Sequence, residues 1–230
     1  MVVILVALTF LTAILAEAIV RHLSQKREVT SVKSERGWMT VSPVVVPDPG
    51  RVPQFPEDFY YHNGHAWVKL EENNRIKVGI DDFTQQVMGD INDIEIPQIG
   101  SKLNQGEAAW KLCHGKRKLN QLAPLGGTVV EVNEKLRKDP SLANRSPYEE
   151  GWILKIQTKA LNKEMPELMD SFQFKAHFDQ LKAKLMSSFN NETVGKVYGD
   201  GGEVVKGAAA KLDDRLWKIL ITQLFHSSPE

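Results

Sequence analysis

From His65 to Ile156 the chain repeats one short pattern, a run that alternates apolar and polar residues followed by a turn. Successive side chains of a strand point to opposite faces, so such alternation marks a strand with one face buried. HAWVKL (65–70) and RIKVGI (75–80) flank the polar EENN (71–74), which predicts a hairpin with Ile76, Val78 and Ile80 on one face. Gly79-Ile80-Asp81-Asp82 then opens a short helix, FTQQVMG, with an Asp as N-cap and Gly89 as its stop. Ile91, Ile94 and Ile96 form a strand that ends at Pro97 and Gly100. AAWKLCH (108–114) is a further strand, Gly115 to Lys118 a polar turn, and 119–123 the returning strand. A second turn at 124–127 leads to TVVEV (128–132), a polar connection follows over 133–147, and WILKI (152–156) closes the set. Many short strands at this spacing predict a mainly β domain, a sandwich or barrel, over 57–160.

The first twenty residues, MVVILVALTFLTAILAEAIV, carry one ionisable side chain, Glu17. About 20 apolar residues span a bilayer as a helix. Ala16-Glu17-Ala18 resembles a signal-peptidase site, yet no Lys or Arg precedes the run and Arg21, His22, Lys26 and Arg27 follow it. Residues 1–20 therefore read as an uncleaved transmembrane helix. The positive-inside rule puts the remainder in the cytoplasm, on a single-pass protein of the cytoplasmic (inner) membrane. A buried soluble helix is disfavoured because the run is apolar all round. Residues 21–56 are basic and then Pro-rich, with five prolines from Pro43 to Pro56, and read as a tether.

Lys plus Arg balances Asp plus Glu at 29 each, so charge points to no nucleic-acid partner. The single Cys113 excludes an intrachain disulfide and any multi-cysteine zinc site within the chain. Cys113 and His114 are strand neighbours and face opposite ways, so they do not share a metal's ligand sphere. No metal ligand set and no catalytic residue set stands out. Gly199-Asp200-Gly201-Gly202 lacks both the preceding strand and the Lys-Ser/Thr of a phosphate loop. Trp67, Trp110 and Trp152 fall in strand runs and read as core or sheet-face residues.

Beyond the β region, 161–189 is predicted helical, with Leu168, Met169, Phe172, Ala176, Leu181 and Leu185 at helical spacing. Residues 190–230 read as a loop to Ala210 and then an amphipathic helix, Leu212 to Phe225, with Leu212, Leu216, Ile219, Leu220 and Leu224 on one side. That helix can dock on the domain, grip a partner helix or lie on a membrane. Asp213 and Asp214 disfavour the last.

Five segments occur in one order: His65-Ala66-Trp67-Val68, VGIDDFTQQVMGDI (78–91), EIPQIG (95–100), APLGGTVVEVNE (123–134) and NRSPYEEGWILKI (144–156). In sequence and spacing they resemble the glycine cleavage system H proteins. The resemblance implies a lipoyl-domain-like flattened β-barrel (a barrel-sandwich hybrid) with C-terminal helices. It also implies a carrier that is not itself an enzyme, with lipoate amide-linked to a lysine at a hairpin tip. In the family that lysine precedes the proline of an SPxSG turn by eight residues. Pro124 holds the proline position here, so the resemblance selects Lys116. The family usually has Glu-Ser-Val-Lys-Ala around the lysine, whereas this chain has Cys113-His114-Gly115-Lys116-Arg117, and its turn reads APLGG.

Two functions follow. In one, lipoate on Lys116 shuttles an aminomethyl group or electrons between the glycine cleavage enzymes. In the other, the chain is an unlipoylated scaffold or assembly subunit of a membrane-associated redox complex.

Overall fold

The computed structural model describes residues 52–188 and 205–228. The predicted transmembrane helix and most of the tether lie outside these residues. Among the described residues no helix is long and apolar enough to cross a membrane.

Among the described residues, nine strands form two antiparallel sheets. Their ranges are β1 Tyr60–Tyr61, β2 Ala66–Leu70, β3 Arg75–Ile80, β4 Asp93–Glu95, β5 Lys102–Leu103, β6 Ala108–His114, β7 Arg117–Leu122, β8 Gly127–Val132 and β9 Leu154–Gln157. The larger sheet runs β1-β2-β3-β9-β8-β5 and the smaller β4-β6-β7. The predicted β2–β3 hairpin is present. Asn73 and Asn74 turn it with φ of 57° and 56°, the two positive angles that a type I′ turn needs and Asn tolerates. Ile76, Val78 and Ile80 are fully buried, as the alternation predicts.

One continuous core joins both sheets through Val78, Ile80, Leu112, Leu119 and Ile156. A smaller cluster of Phe59, Tyr61, Trp67 and Phe174 forms around β1 and β2. Trp67 and Gly79 are cross-strand partners. A Cβ on Gly79 would lie 2.5 Å from Cζ2 of the Trp67 ring, so only glycine lets the indole lie flat on β3. The Trp67 Nε1–H donates to Pro147 O at 3.0 Å.

Helix α1, Asp82–Met88, is the one predicted from the sequence. Asp81 is its N-cap, with a side chain that accepts from Thr84 N at 2.8 Å, and Gly89 ends it at φ 70°. All seven residues are buried, including Thr84, Gln85 and Gln86. Where the sequence predicts a polar connection, two short helices form, α2 (Glu134–Lys138) and α3 (Leu142–Arg145).

Three boundaries differ from the sequence expectation. The tether gives way to the domain before residue 57. Gln54 N donates to Asp82 Oδ2 at 2.8 Å, and Phe55 packs edge-on against Tyr61, Phe174 and Phe178. The helix over 161–189 is broken into α4 (Leu161–Glu164), a 3-10 turn (Met165–Glu167) and α5 (Ser171–Ser188). Leu168 and Met169 are not on a helical stripe, because Met169 pairs with Tyr61 through two backbone hydrogen bonds, of 2.8 and 2.9 Å. Finally, a short helix α6 (Ala208–Lys211) precedes α7 (Asp214–Leu224), in part of what reads as loop.

Helix α7 docks on the domain, the first of its three predicted options. Its buried side is Trp217, Leu220, Ile221 and Leu224, whereas Ile219 is half-buried. Phe225, just beyond it, stacks on Phe83 of α1 at 5.6 Å between ring centroids.

Candidate functional site

Strands β6 and β7 pair up to His114 and Arg117, so the predicted four-residue turn tightens to two, Gly115 and Lys116. Gly115 has φ 56° and Lys116 does not have a positive φ, the φ pattern of a type II′ hairpin turn, which calls for glycine at the first position. The base of the turn is tied to the chain before β4. Gly115 N donates to Asn92 Oδ1 at 2.8 Å, and His114 Nδ1 donates to Asp90 O at 2.5 Å.

The three lysines near the turn are separated by this geometry. Lys116 is exposed at the tip and makes no hydrogen bond or ion pair among the described residues. Lys111 lies within β6 with a side chain 19% exposed, 3.5 Å from Glu95 Oε2. Lys118 lies in β7, 3.6 Å from Glu95 Oε1. A groove of about 360 Å³ runs beside Lys116, lined by Arg117, Lys118, Asp214, Trp217, Lys218 and Ile221.

Cys113 pairs with Asp93 on one side and Lys118 on the other. Directly paired residues share a face, as do residues two apart, so Asp93, Glu95, Lys111, Cys113 and Lys118 form one outer face. Leu112 and Leu119 point inward and are fully buried. Burial pushes the Cys113 thiol up from its ordinary value, Glu95 and Asp93 push it further, and Lys118 and Lys111 oppose them. Each of the raising causes disfavours the thiolate, the form of cysteine that acts as a nucleophile. The sequence shows an acid missing at position 113. The fold brings two carboxylates beside it from β4, whose alternation marks Asp93 and Glu95 as outward but does not reveal that β4 pairs with β6.

A second polar group lies deep in the core, and sequence reasoning missed it. His65 has φ 63° and closes the turn after β1, and its Nδ1–H donates to Asp81 Oδ2 at 2.7 Å with both side chains fully buried. His65 Nε2 is buried without a hydrogen-bond partner among the described residues. The imidazole packs against Phe83, Phe174 and Phe225 at 4.7, 5.5 and 5.1 Å between centroids. No sequence motif foretold this enclosure, which needs α1, α5 and the C-terminal segment together. Among the described residues no three His, Cys, Asp or Glu side chains gather as a metal site.

His62 stands beside this group, and burial, reinforced by His226 and His65, lowers its pKa from 6.5 to about 4. The folded state thus binds the proton less tightly than the unfolded chain. The stability it supports is intact above pH 6.5, is lost as the pH falls from 6.5, and levels off below about 4. His177 and His226 are also lowered, by burial first, and act in the same direction. Replacing His62 with Gln should remove about 3 kcal/mol of the stability change between those limits. Urea unfolding of both proteins from pH 7.5 to 4 measures it, and parallel curves would count against the assignment.

The glycine cleavage H-protein family model matches residues 59–180. A probable glycine cleavage system H protein of Pyrococcus furiosus is 38% identical over 126 residues, which are 55% of this chain and 91% of that protein. One from Thermococcus gammatolerans is 35% identical over 125 residues, 54% of this chain and 92% of that protein. The H protein of Hydrogenovibrio crunogenus is 35% identical over 125 residues, 54% of this chain and 96% of that protein. The crystal structure of a glycine cleavage system H protein from Mycobacterium marinum superposes with a TM-score of 0.50 at 24% identity, over 54% of this chain and 99% of that one, which supports the fold. With its two-sheet fold and a family match that covers more than half its length, the chain belongs to the glycine cleavage H-protein family.

Proposed function

We propose that this protein is a covalent carrier that bears lipoate on Lys116 and passes an aminomethyl group or electrons between glycine cleavage enzymes. H proteins are carriers rather than catalysts. The observation that supports the assignment is the separation of the lysines, with Lys116 exposed on a two-residue turn and Lys111 and Lys118 both within reach of Glu95. The residues present fit the group, since an amide at the Lys116 Nζ needs an uncommitted amine on a stem that does not move. Asn92 and Asp90 hold that stem from one side and Arg117 from the other. When attached, lipoate supplies a disulfide that can be reduced and can take up a one-carbon amine. The protein's part is to hold the attachment point at a fixed tip, from which a long arm reaches partner active sites.

The scaffold reading draws on one local feature, Cys113 in place of the family's acid with Arg117 and Lys118 as added cations. Mass spectrometry of the protein purified from its native host separates the two. One lipoyl group in the peptide covering 109–124 supports the carrier, and a fully unmodified peptide supports the scaffold.

Residues 1–20 complete the proposal as a membrane anchor, with the β domain in the cytoplasm and partners drawn from enzymes or a redox complex at that membrane. Support comes from the apolar run and the Arg21, Lys26 and Arg27 that follow it. Protease added to intact spheroplasts should leave the β domain uncut. Its digestion would refute the topology, and release of the protein by salt alone would refute the anchor.

A further inference from the structure

Arg117 follows the carrier position, yet its side chain is turned away from Lys116 and fully engaged elsewhere. Its Nε–H donates to Ala209 O at 3.0 Å, its Nη1–H to Asp214 Oδ1 at 2.7 Å, and its Nη2–H to Leu212 O. The guanidinium also lies 5.7 Å from the centroid of the Trp217 ring. All four partners belong to one segment, 205–228, which lies past the end of the family match at residue 180. The aligned relatives use 91 to 96% of their own length within the match, so those chains have few residues left from which to build such a segment.

The segment covers the inner flank of the turn. Arg117 pairs with His114 on the face opposite Cys113 and Lys118, and that face meets α6 and α7. Gly207 N donates to Gln86 O at 2.7 Å, and Gly89 and Gly207 meet so closely that a Cβ on Gly89 would lie 2.7 Å from Gly207 Cα. With Trp217, Leu220, Ile221, Leu224 and Phe225 buried, the segment closes over α1 up to the edge of the turn. The outer flank, with Glu95 and Lys118, stays open.

We propose that residues 205–228 are a cover acting in cis that closes one side of the carrier turn to other proteins, and that Arg117 is its latch. A protein that works on Lys116 must then approach from the Glu95 side or displace the cover. The latch stands on the contacts of Arg117 alone. Its importance for the carrier cycle rests on the reading of Lys116 given above.

The test uses the full-length protein and Arg117→Ala and Arg117→Lys variants. A planar guanidinium can reach three acceptors at once and an ammonium cannot, so Lys should restore the latch only in part. Amide hydrogen exchange over 207–224 should quicken at least tenfold in Arg117→Ala and less in Arg117→Lys, with exchange in β3 unchanged. Trypsin, a protein that must accommodate the turn, should cut after Lys116 and Lys118 at least tenfold faster in Arg117→Ala. A small amine-acylating reagent should reach Lys116 equally in all three. Unchanged exchange would overturn the latch, and faster exchange with unchanged cutting would overturn the control of access. Neither readout needs lipoate, so a Lys116 that accepts none refutes the carrier reading and leaves this test standing.

Discussion

Replacing Lys116 with Arg should leave the protein with no lipoyl group, even after prolonged incubation with a lipoate ligase, lipoate and ATP. Arg keeps the charge and the length but presents no amine for the amide bond. The turn should tolerate the change, because Lys116 is exposed and holds nothing among the described residues. Lys118→Arg and Lys111→Arg should each still accept one group, since both lysines lie in strands within 3.6 Å of Glu95. Intact mass after the reaction reads all three variants. A lipoyl group on Lys116→Arg, found at Lys118 by peptide mapping, would overturn the assignment by register. Cys113→Glu should raise the ligase rate over wild type, because it restores an acid three residues before the target. Asp93 and Glu95 already stand on that face, so the gain should be smaller than in a protein with no other carboxylate there.

Asp81→Ala should cost about 3–5 kcal/mol, the largest loss expected from any single polar side chain here. Three interactions end together. His65 Nδ1 loses its acceptor at 2.7 Å, Thr84 N loses the helix cap at 2.8 Å, and the Thr84 hydroxyl loses its bond to the same carboxylate, also at 2.8 Å. The cap alone is worth about 1 kcal/mol. The greater part comes from an imidazole left in a fully buried site with neither ring nitrogen paired. Asp81→Asn keeps an oxygen for the cap and a polar group facing His65, and should lose about half as much. Urea unfolding at pH 7.5 measures both. A loss under about 1 kcal/mol for Asp81→Ala would show that the pair does not hold this part of the core. Because His65 packs on Phe225, the Ala variant should also quicken amide exchange in α7.

Much of this architecture is legible in the sequence because it is local. Alternation in β2 and β3, the Asn-Asn turn, the Asp81 cap and the Gly89 stop are fixed by residues within a few positions of one another. The same kind of reading fails at 163–170. There Leu168 and Met169 match a helical stripe, but Met169 finds a backbone partner in Tyr61, more than a hundred positions away. Helix period is a preference of isolated turns, and a pair of sheet hydrogen bonds outweighs it. Likewise α7 is visible as an amphipathic helix, yet its buried face shifts to Trp217 and Ile221 because that face is chosen by Arg117 and α1.

At the site, the sequence alone determined the β architecture and the family, and its spacing to Pro124 is what singles out Lys116 in the proposed carrier role. It could do so because motif order and register are properties of the chain itself. Only the tertiary structure decided which surfaces surround that lysine. Glu95 holds Lys111 and Lys118, Asp93 faces Cys113, and the C-terminal segment closes against Arg117 some ninety residues away in sequence. These are pairings between distant segments, set by how two sheets and a late helix pack against one another, and no local propensity or spacing records them.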